Sequence, residues 1–225
     1  MIRGILIAGL ESSLSAAIAT EAGKRVKQYA AAFIPNKFSV PVRERTAAQS
    51  AGGSLIPLSW NPGSPVSART LILAVENRLE RIDQAILVCT PPSLRRQPEE
   101  LALADIDTAV NDHIKGWFFL VKELTAAFKT HNGGALALVL SNAGMGTEKG
   151  EAPDLIGPSV AASFSSFSSG ILASSVGKPY TALGFSSETG EDAAFAAFIF
   201  KILDENGKRG SGKWHRYGKF SFFGR

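Results

Sequence analysis

The chain has 225 residues and a mass of 23.8 kDa, a size that predicts one domain spanning residues 1–225. Hydrophobic residues make up 45% of it and charged residues 20%, a globular composition that excludes an intrinsically disordered chain. Its only cysteine is Cys89, so an intrachain disulfide and a cysteine-based zinc site are also excluded.

The net charge of +4 is concentrated at one end of the chain. Residues 201–225 contain seven basic and two acidic residues, whereas the remaining residues contain 17 basic and 18 acidic ones. A basic segment that also carries aromatic residues, such as 213–217, can bind nucleic acid. The body of the chain is close to neutral, as expected of a domain that binds small metabolites.

Hydropathy argues against a membrane protein. No apolar run approaches the ~18 residues that a membrane-spanning helix needs. The apolar run near the N-terminus is short and is interrupted by Glu11, unlike the apolar core of a signal peptide. We therefore expect a soluble cytoplasmic protein.

Short apolar segments and segments of helical periodicity alternate along the chain. Runs that are apolar throughout are typical of strands buried on both faces. Such strands are predicted at 5–8, 26–34, 55–58, 84–90, 135–140 and 180–185, with a last, alternating strand at 212–223. Helices are predicted at 13–22, from Ser64 to Ile82, from Pro98 through a long apolar stripe that runs from Ile106 to Phe128, at 159–176, and after Thr189.

This alternation predicts βαβ units and therefore an α/β fold with a doubly wound, mainly parallel sheet of about seven strands. Ligands of such sheets bind at the carboxyl ends of the strands. Functional residues are therefore expected in the loops that follow Ala8, Phe33, Ser59, Thr90, Leu140 and Phe185.

Five segments, in order, resemble motifs of the short-chain dehydrogenase/reductase family. Residues 8–15 occupy the place of the family's Thr-Gly-x-x-x-Gly-Ile-Gly loop, and residues 83–92 resemble its Asp-x-x-x-x-Asn-Asn-Ala-Gly strand. Residues 110–116 resemble its Val-Asn-x-x-Gly helix segment, and residues 134–144 its serine-bearing strand. Residues 211–213 stand where the family has Thr-Gly-Gln. The resemblance covers nearly the whole chain and implies the family's Rossmann-like three-layer fold.

The resemblance also implies a site for NAD or NADP. The cofactor-binding positions that it points to are Gly9, Ser12, Ser13, Leu14, Ser59, Cys89, Thr90 and Pro91. Only Gly9 remains of the loop's three glycines, since Ser13 and Ser15 replace the other two. No acid ends the second strand, while Lys37, Arg43 and Arg45 follow it and would favour NADP over NAD. Basic residues in such a position more often belong simply to a solvated loop.

The family's catalytic pair is missing. Its tyrosine and lysine, one helical turn apart, would fall near Gly157 or Pro158 and near Ala161 or Ala162. The catalytic serine position matches Ser141 or Asn142, either of which can hydrogen-bond a carbonyl group. His113 takes the register of the family's helix asparagine and is either a buried structural residue or an acid/base group.

Three functional hypotheses follow. The first is a degenerate member of the family that binds a nucleotide or another small ligand without redox catalysis. The second is an NAD(P)-dependent oxidoreductase with a rebuilt site around His113, and the third is nucleic-acid binding by the tail, which in the family's context is instead an edge strand. We expect no metal site. The Ser/Ala-rich helix at 159–176 predicts a homodimer or homotetramer through close helix packing.

Overall fold

The computed structural model describes residues 4–35, 53–142, 152–206 and 211–218. Lys37, Arg43 and Arg45, the predicted contacts to a ribose phosphate, lie outside the described residues. Residues 219–223 of the predicted last strand also lie outside them.

Seven parallel strands form one sheet, as predicted. The order across the sheet is β3-β2-β1-β4-β5-β6-β7. The strands are β1 (Ile5–Leu10), β2 (Gln28–Ile34), β3 (Ser54–Leu58), β4 (Gln84–Cys89), β5 (Ala135–Ser141), β6 (Thr181–Ser187) and β7 (Lys213–Tyr217). The order reverses between β1 and β4, which is where doubly wound sheets bind their ligands.

The described residues contain six α-helices. They are α1 (Ser13–Gly23), α2 (Pro65–Leu79), α3 (Leu103–Val110), α4 (Gly116–Thr130), α5 (Ile156–Ser174) and α6 (Asp192–Asn206). One buried cluster joins the sheet to α2, α4 and α5, and a second joins it to α1 and α6. Every residue of β1 and of β4 is buried, because both faces of these central strands are covered. No helix in the described ranges is long and apolar enough to cross a membrane.

The long helix predicted after Pro98 is interrupted. The 3₁₀ turn Pro98–Glu100 precedes α3, and the π-helical turn Asn111–Lys115 separates α3 from α4. The extra residue in a π turn changes the direction in which later side chains point. The predicted apolar stripe is therefore buried from Trp117 onward but exposed at Ile106 and Val110.

The structure corrects the predicted start of one helix and confirms the edge position of the last strand. Helix α5 begins at Ile156 rather than at residue 159, because Asp154 accepts a hydrogen bond from the Gly157 backbone N–H and starts the helix earlier. β7 is the edge strand, with Lys213 and Arg216 exposed on it, as its composition predicts. Nucleic-acid binding by the tail stays a prediction.

Candidate functional site at the carboxyl edge of the sheet

The turn between β1 and α1 is closed by its own hydroxyl groups. Ser12 has extended backbone angles and caps α1, since its Oγ accepts a hydrogen bond from the Ser15 N–H at 3.1 Å. The Ser12 hydroxyl donates to Ser15 Oγ at 3.0 Å, and the buried Ser15 hydroxyl donates to the Leu10 carbonyl at 2.7 Å. Both hydroxyl protons are thus used within the turn.

Backbone N–H groups are therefore the donors that this turn offers to a ligand. The first N–H groups of a helix lack partners within the helix, and those of Ser13 and Leu14 occupy that position in α1. The nearest charged residue along the chain is Glu11, which is exposed and directly precedes the turn. The turn suits one small anionic group better than a diphosphate.

The structure gives a reason for the glycine at position 9 that involves no ligand: Gly9 lies against the neighbouring strand. A Cβ atom at Gly9 would lie 2.3 Å from the carbonyl oxygen of Val88, on the neighbouring strand. Gly9 and Val88 are paired in the register of β1 and β4. The residue that the family uses beside the cofactor is therefore needed here for the close approach of the two central strands.

At the end of β3, Ser59 is exposed and Trp60 is buried. The Trp60 ring centroid lies 6.3 Å from that of Trp117 on α4, and Trp117 packs edge-on against Phe164 of α5 at 5.4 Å. Trp60 was not identified from the sequence, although an aromatic residue directly after a predicted strand was the available signal. These aromatic rings pack on the side of the sheet that α4 and α5 cover. We call the region at the carboxyl ends of β1, β4 and β5 the crevice.

The ends of β4 and β5 bring three predicted residues together. Cys89 is paired with Leu140, so the next residues, Thr90 and Ser141, lie at the same level of adjacent strands. Thr90 Oγ1 and the side-chain oxygen of Asn142 are both buried and have no hydrogen-bond partner within the described ranges. Ser141 is only 8% exposed. Thr90, Ser141 and Asn142 thus form a polar group at the edge where ligands of such sheets bind.

Cys89 and Pro91 have a different environment. Cys89 is fully buried on the α4 and α5 face of the sheet, and burial raises the pKa of its thiol well above the usual range. A neutral buried thiol is a packing residue rather than a nucleophile. Pro91 is half-buried, and Pro92 behind it is buried.

His113 lies in the π-helical turn, and this turn contacts α5. Only 1% of its surface is exposed, which agrees with the burial that its place on the apolar stripe predicts. π turns occur often at functional sites. The geometry therefore leaves both the structural and the acid/base interpretation of His113 open.

The start of α5 has no room for a tyrosine at the first predicted position. A Cβ atom at Gly157 would lie 2.4 Å from the carbonyl oxygen of Pro92, in the loop that follows β4. Pro158 and Ala162 are exposed, and Ala161 is buried against the sheet. None of these four side chains carries a group that can transfer a proton.

The three tyrosines of the chain lie elsewhere. Tyr29 and Tyr180 are near the amino-terminal ends of β2 and β6, opposite the crevice, and burial raises the pKa of each phenol. Tyr217 ends β7, where its hydroxyl donates to Glu191 Oε2 at 2.9 Å. This hydrogen bond raises the pKa of Tyr217. Proton transfer by a tyrosine of lowered pKa thus has no candidate at the crevice.

The other histidines have structural partners. His131 Nε2 lies 2.9 Å from Glu76 Oε1 and links α4 to α2. His215 stacks on Phe185 with ring centroids 5.5 Å apart. Among the residues that the structure describes, no group of three or more His, Cys, Asp or Glu side chains could hold a metal ion.

Comparison with known proteins supports the fold. The sequence matches no protein-family model and no curated protein. The structure is similar to that of a short-chain dehydrogenase from Mycobacterium smegmatis, with a TM-score of 0.75 and 11% identity over 97% of this chain and 92% of that one.

Two further solved structures show the same likeness. A putative short-chain dehydrogenase/reductase from Burkholderia xenovorans has a TM-score of 0.73 and 16% identity over 95% of this chain and 94% of that one. A levodione reductase has a TM-score of 0.74 and 13% identity over 96% of this chain and 95% of that one. The chain therefore has the Rossmann-like fold of the short-chain dehydrogenases/reductases.

Proposed function

We propose that this protein is a short-chain dehydrogenase/reductase-like protein that binds a nucleotide or another small ligand at the carboxyl ends of β1, β4 and β5, without tyrosine-dependent hydride transfer. The observation that carries the proposal is the start of α5. There Gly157, one of the two positions where the family resemblance puts the catalytic tyrosine, packs directly against the Pro92 carbonyl, and the other position is Pro158.

Hydride transfer to a carbonyl group needs a proton donor beside the carbonyl oxygen. The polar residues at the ends of β4 and β5 are Thr90, Ser141 and Asn142, all of which are uncharged. They can orient a polar ligand by hydrogen bonds, but none of them is an efficient acid near neutral pH. Binding is thus better supported than catalysis.

The residues at the crevice fit a dinucleotide such as NAD or NADP only in part. The N–H groups of Ser13 and Leu14 suit a phosphate at the start of α1. The hydroxyl groups of Ser12 and Ser15 are already bonded within the turn, so their protons are not available to a second phosphate. We therefore propose a nucleotide held through one phosphate and assign it no hydride step.

Thermal-shift measurements with NAD, NADP and their reduced forms test the proposal. A ligand at ~100 times its dissociation constant adds ~2.7 kcal/mol to the free energy of unfolding, so the melting temperature should rise with at least one of them or with a mononucleotide. We also expect NADPH oxidation with carbonyl compounds at the same background rate for the wild type and for Ser141→Ala. Steady turnover that Ser141→Ala abolishes contradicts the proposal.

A second candidate function is an NAD(P)-dependent oxidoreductase with His113 as the acid/base group. The π-helical turn around His113 favours it, because such turns are maintained at functional sites despite their poorer geometry. Under this hypothesis NADPH oxidation is present in the wild type and lost in His113→Gln. Equal background rates in both proteins exclude it.

We also propose that the protein forms a homodimer, or a homotetramer containing it, through α3, α4 and α5. Leu103, Ile106, Val110 and Phe118 leave exposed apolar surface on α3 and α4, and the Phe118 ring lies 4.6 Å from that of Phe167 on α5. The exposed Asp107 and Lys115 lie on opposite sides of Asn111. If a second copy packs antiparallel on this surface, with the two Asn111 residues facing each other, each Asp107 would lie opposite a Lys115 of the other copy.

Light scattering with size-exclusion chromatography tests this assembly. We expect the wild type to elute above the 23.8 kDa of one chain. Phe118→Glu should shift it to the monomer, because a charge would be buried between copies. Leu73→Glu, on α2, is the control, since Leu73 and Phe118 are similarly exposed at 50% and 54%. A monomeric wild type, or identical elution of both variants, contradicts the proposal.

A further inference from the structure

Two segments beside the crevice are joined to each other. Residues 92–96 follow β4 and residues 153–157 lead into α5; we call them the latch segments. Arg95 and Asp154 form an antiparallel bridge, and the Arg96 N–H donates to the Pro153 carbonyl at 3.3 Å. The Asp154 carboxylate also accepts from the Gly157 N–H at 2.9 Å. The loop after β4 is thus attached to the start of α5.

The latch segments meet at a glycine that leaves no spare space. A Cβ atom at Gly157 would lie 2.4 Å from the Pro92 carbonyl oxygen. That oxygen belongs to the backbone, so any side chain at position 157 must push the two segments apart. Their closed arrangement therefore depends on the absence of one methyl group.

Among the described residues, two contacts of Arg96 hold the first latch segment in place, one to α3 and one to the second latch segment, and both are weak. Arg96 Nη1 lies 2.8 Å from Asp105 Oδ2, and these side chains are 43% and 20% exposed. A partly exposed ion pair contributes little to stability. The Arg96–Pro153 hydrogen bond is long at 3.3 Å. These two contacts therefore oppose local opening only weakly.

The closed state also leaves polar atoms unsatisfied nearby. Thr90 Oγ1 precedes the first latch segment by two residues, and the Asn142 side-chain oxygen lies at the end of the adjacent strand. Both are buried without a hydrogen-bond partner in the part of the chain that the structure describes. Buried polar groups are normally paired, so opening would release an unfavourable arrangement by giving these atoms water or a ligand.

We propose that the latch segments open locally, without unfolding of the domain, and that this opening controls entry of a small hydrogen-bonding ligand to Thr90 and Asn142. The role in ligand entry rests on the proposed binding function. The opening itself does not, because it is measurable in the protein without any ligand.

Chemical labelling of Cys89 measures the local opening. It is the only cysteine of the chain, is fully buried, and immediately precedes Thr90. A thiol reagent such as 5,5′-dithiobis(2-nitrobenzoic acid) reacts with the thiolate, which burial disfavours, so labelling in native buffer reports opening near the end of β4. The labelling rate is measured for the ligand-free protein at several reagent concentrations and compared with the rate of global unfolding.

Gly157→Ala is the first variant, and Gly170→Ala on the same helix is its matched control, because a Cβ atom at Gly170 meets nothing within 4 Å. We expect Gly157→Ala to label at least tenfold faster than the wild type and Gly170→Ala to label at the wild-type rate. Arg96→Ala, with Arg69→Ala on α2 as its control, should raise the rate severalfold and keeps the test decisive if Gly157→Ala folds poorly.

If Cys89 is labelled at the rate of global unfolding in the wild type and in both latch variants, the proposed local opening is wrong. Equal labelling of Gly157→Ala and Gly170→Ala in folded protein also overturns it. Saturating NADP, NAD or adenosine monophosphate should slow labelling if the ligand occupies the crevice. If the latch variants are labelled fast and none of these compounds slows the labelling, local opening is supported. The proposed binding function alone is then contradicted.

Discussion

Replacing Trp117 with alanine should lower the free energy of unfolding by about 3–5 kcal/mol, the range for truncating a large aromatic side chain in a core. Trp117 is 2% exposed and contacts the rings of Trp60 and Phe164, which join the end of β3 to α5. A cavity at this position could be filled only if the end of β3, α4 and α5 moved toward one another. Urea unfolding followed by circular dichroism measures the loss.

Trp117→Phe is the control for this prediction. The indole N–H of Trp117 is buried without a partner within the described ranges, so phenylalanine keeps an aromatic ring and removes no observed hydrogen bond. We expect a smaller loss of roughly 1–2 kcal/mol, as for ordinary single substitutions. A loss as large as that of Trp117→Ala would contradict the prediction that a smaller aromatic ring restores most of the packing at this position.

Gly9→Ala should destabilise the protein by about 1–3 kcal/mol, the usual effect of an added group in a well-packed core. The new Cβ atom would lie 2.3 Å from the Val88 carbonyl oxygen and 3.1 Å from the Val88 Cβ atom. Because both strands are central, relief of this contact requires β1 and β4 to separate where the strand order reverses. Urea unfolding of the ligand-free protein measures the effect.

Gly190→Ala is the matched control for Gly9→Ala. It adds the same methyl group in the loop between β6 and α6, where a Cβ atom meets nothing within 4 Å. We expect its stability to be within about 0.5 kcal/mol of the wild type. If Gly9→Ala is equally stable but loses nucleotide binding, the glycine is present for the ligand, and our structural explanation of it is wrong.

Much of the fold follows from local patterns in the sequence. The apolar runs at 84–90 and 135–140 predict strands buried on both faces, and β4 and β5 lie within one residue of those bounds. Leu71, Ile72 and Val75 recur at helical spacing and are buried in α2. These predictions succeed because burial on two faces, or on one helical face, leaves a signal in neighbouring residues.

The candidate site could be predicted only in part. The alternation of elements places Thr90, Ser141 and Asn142 at one edge, because parallel strands all end on the same side of a sheet. The same alternation does not show that the Ser12 and Ser15 hydroxyls bond to each other, nor that Trp60 turns inward. Those features depend on backbone angles and on contacts between residues far apart in the chain.

The sequence by itself therefore determined the α/β class, the strands and most helices. Only the tertiary structure decided where the long helix shifts phase at the π turn and why Gly157 stays small. Composition and spacing indicate the secondary structure and the burial that each residue favours within its own segment. A Cβ atom at position 157 would lie only 2.4 Å from the Pro92 carbonyl oxygen, because folding brings these two segments together, and no local preference encodes that proximity.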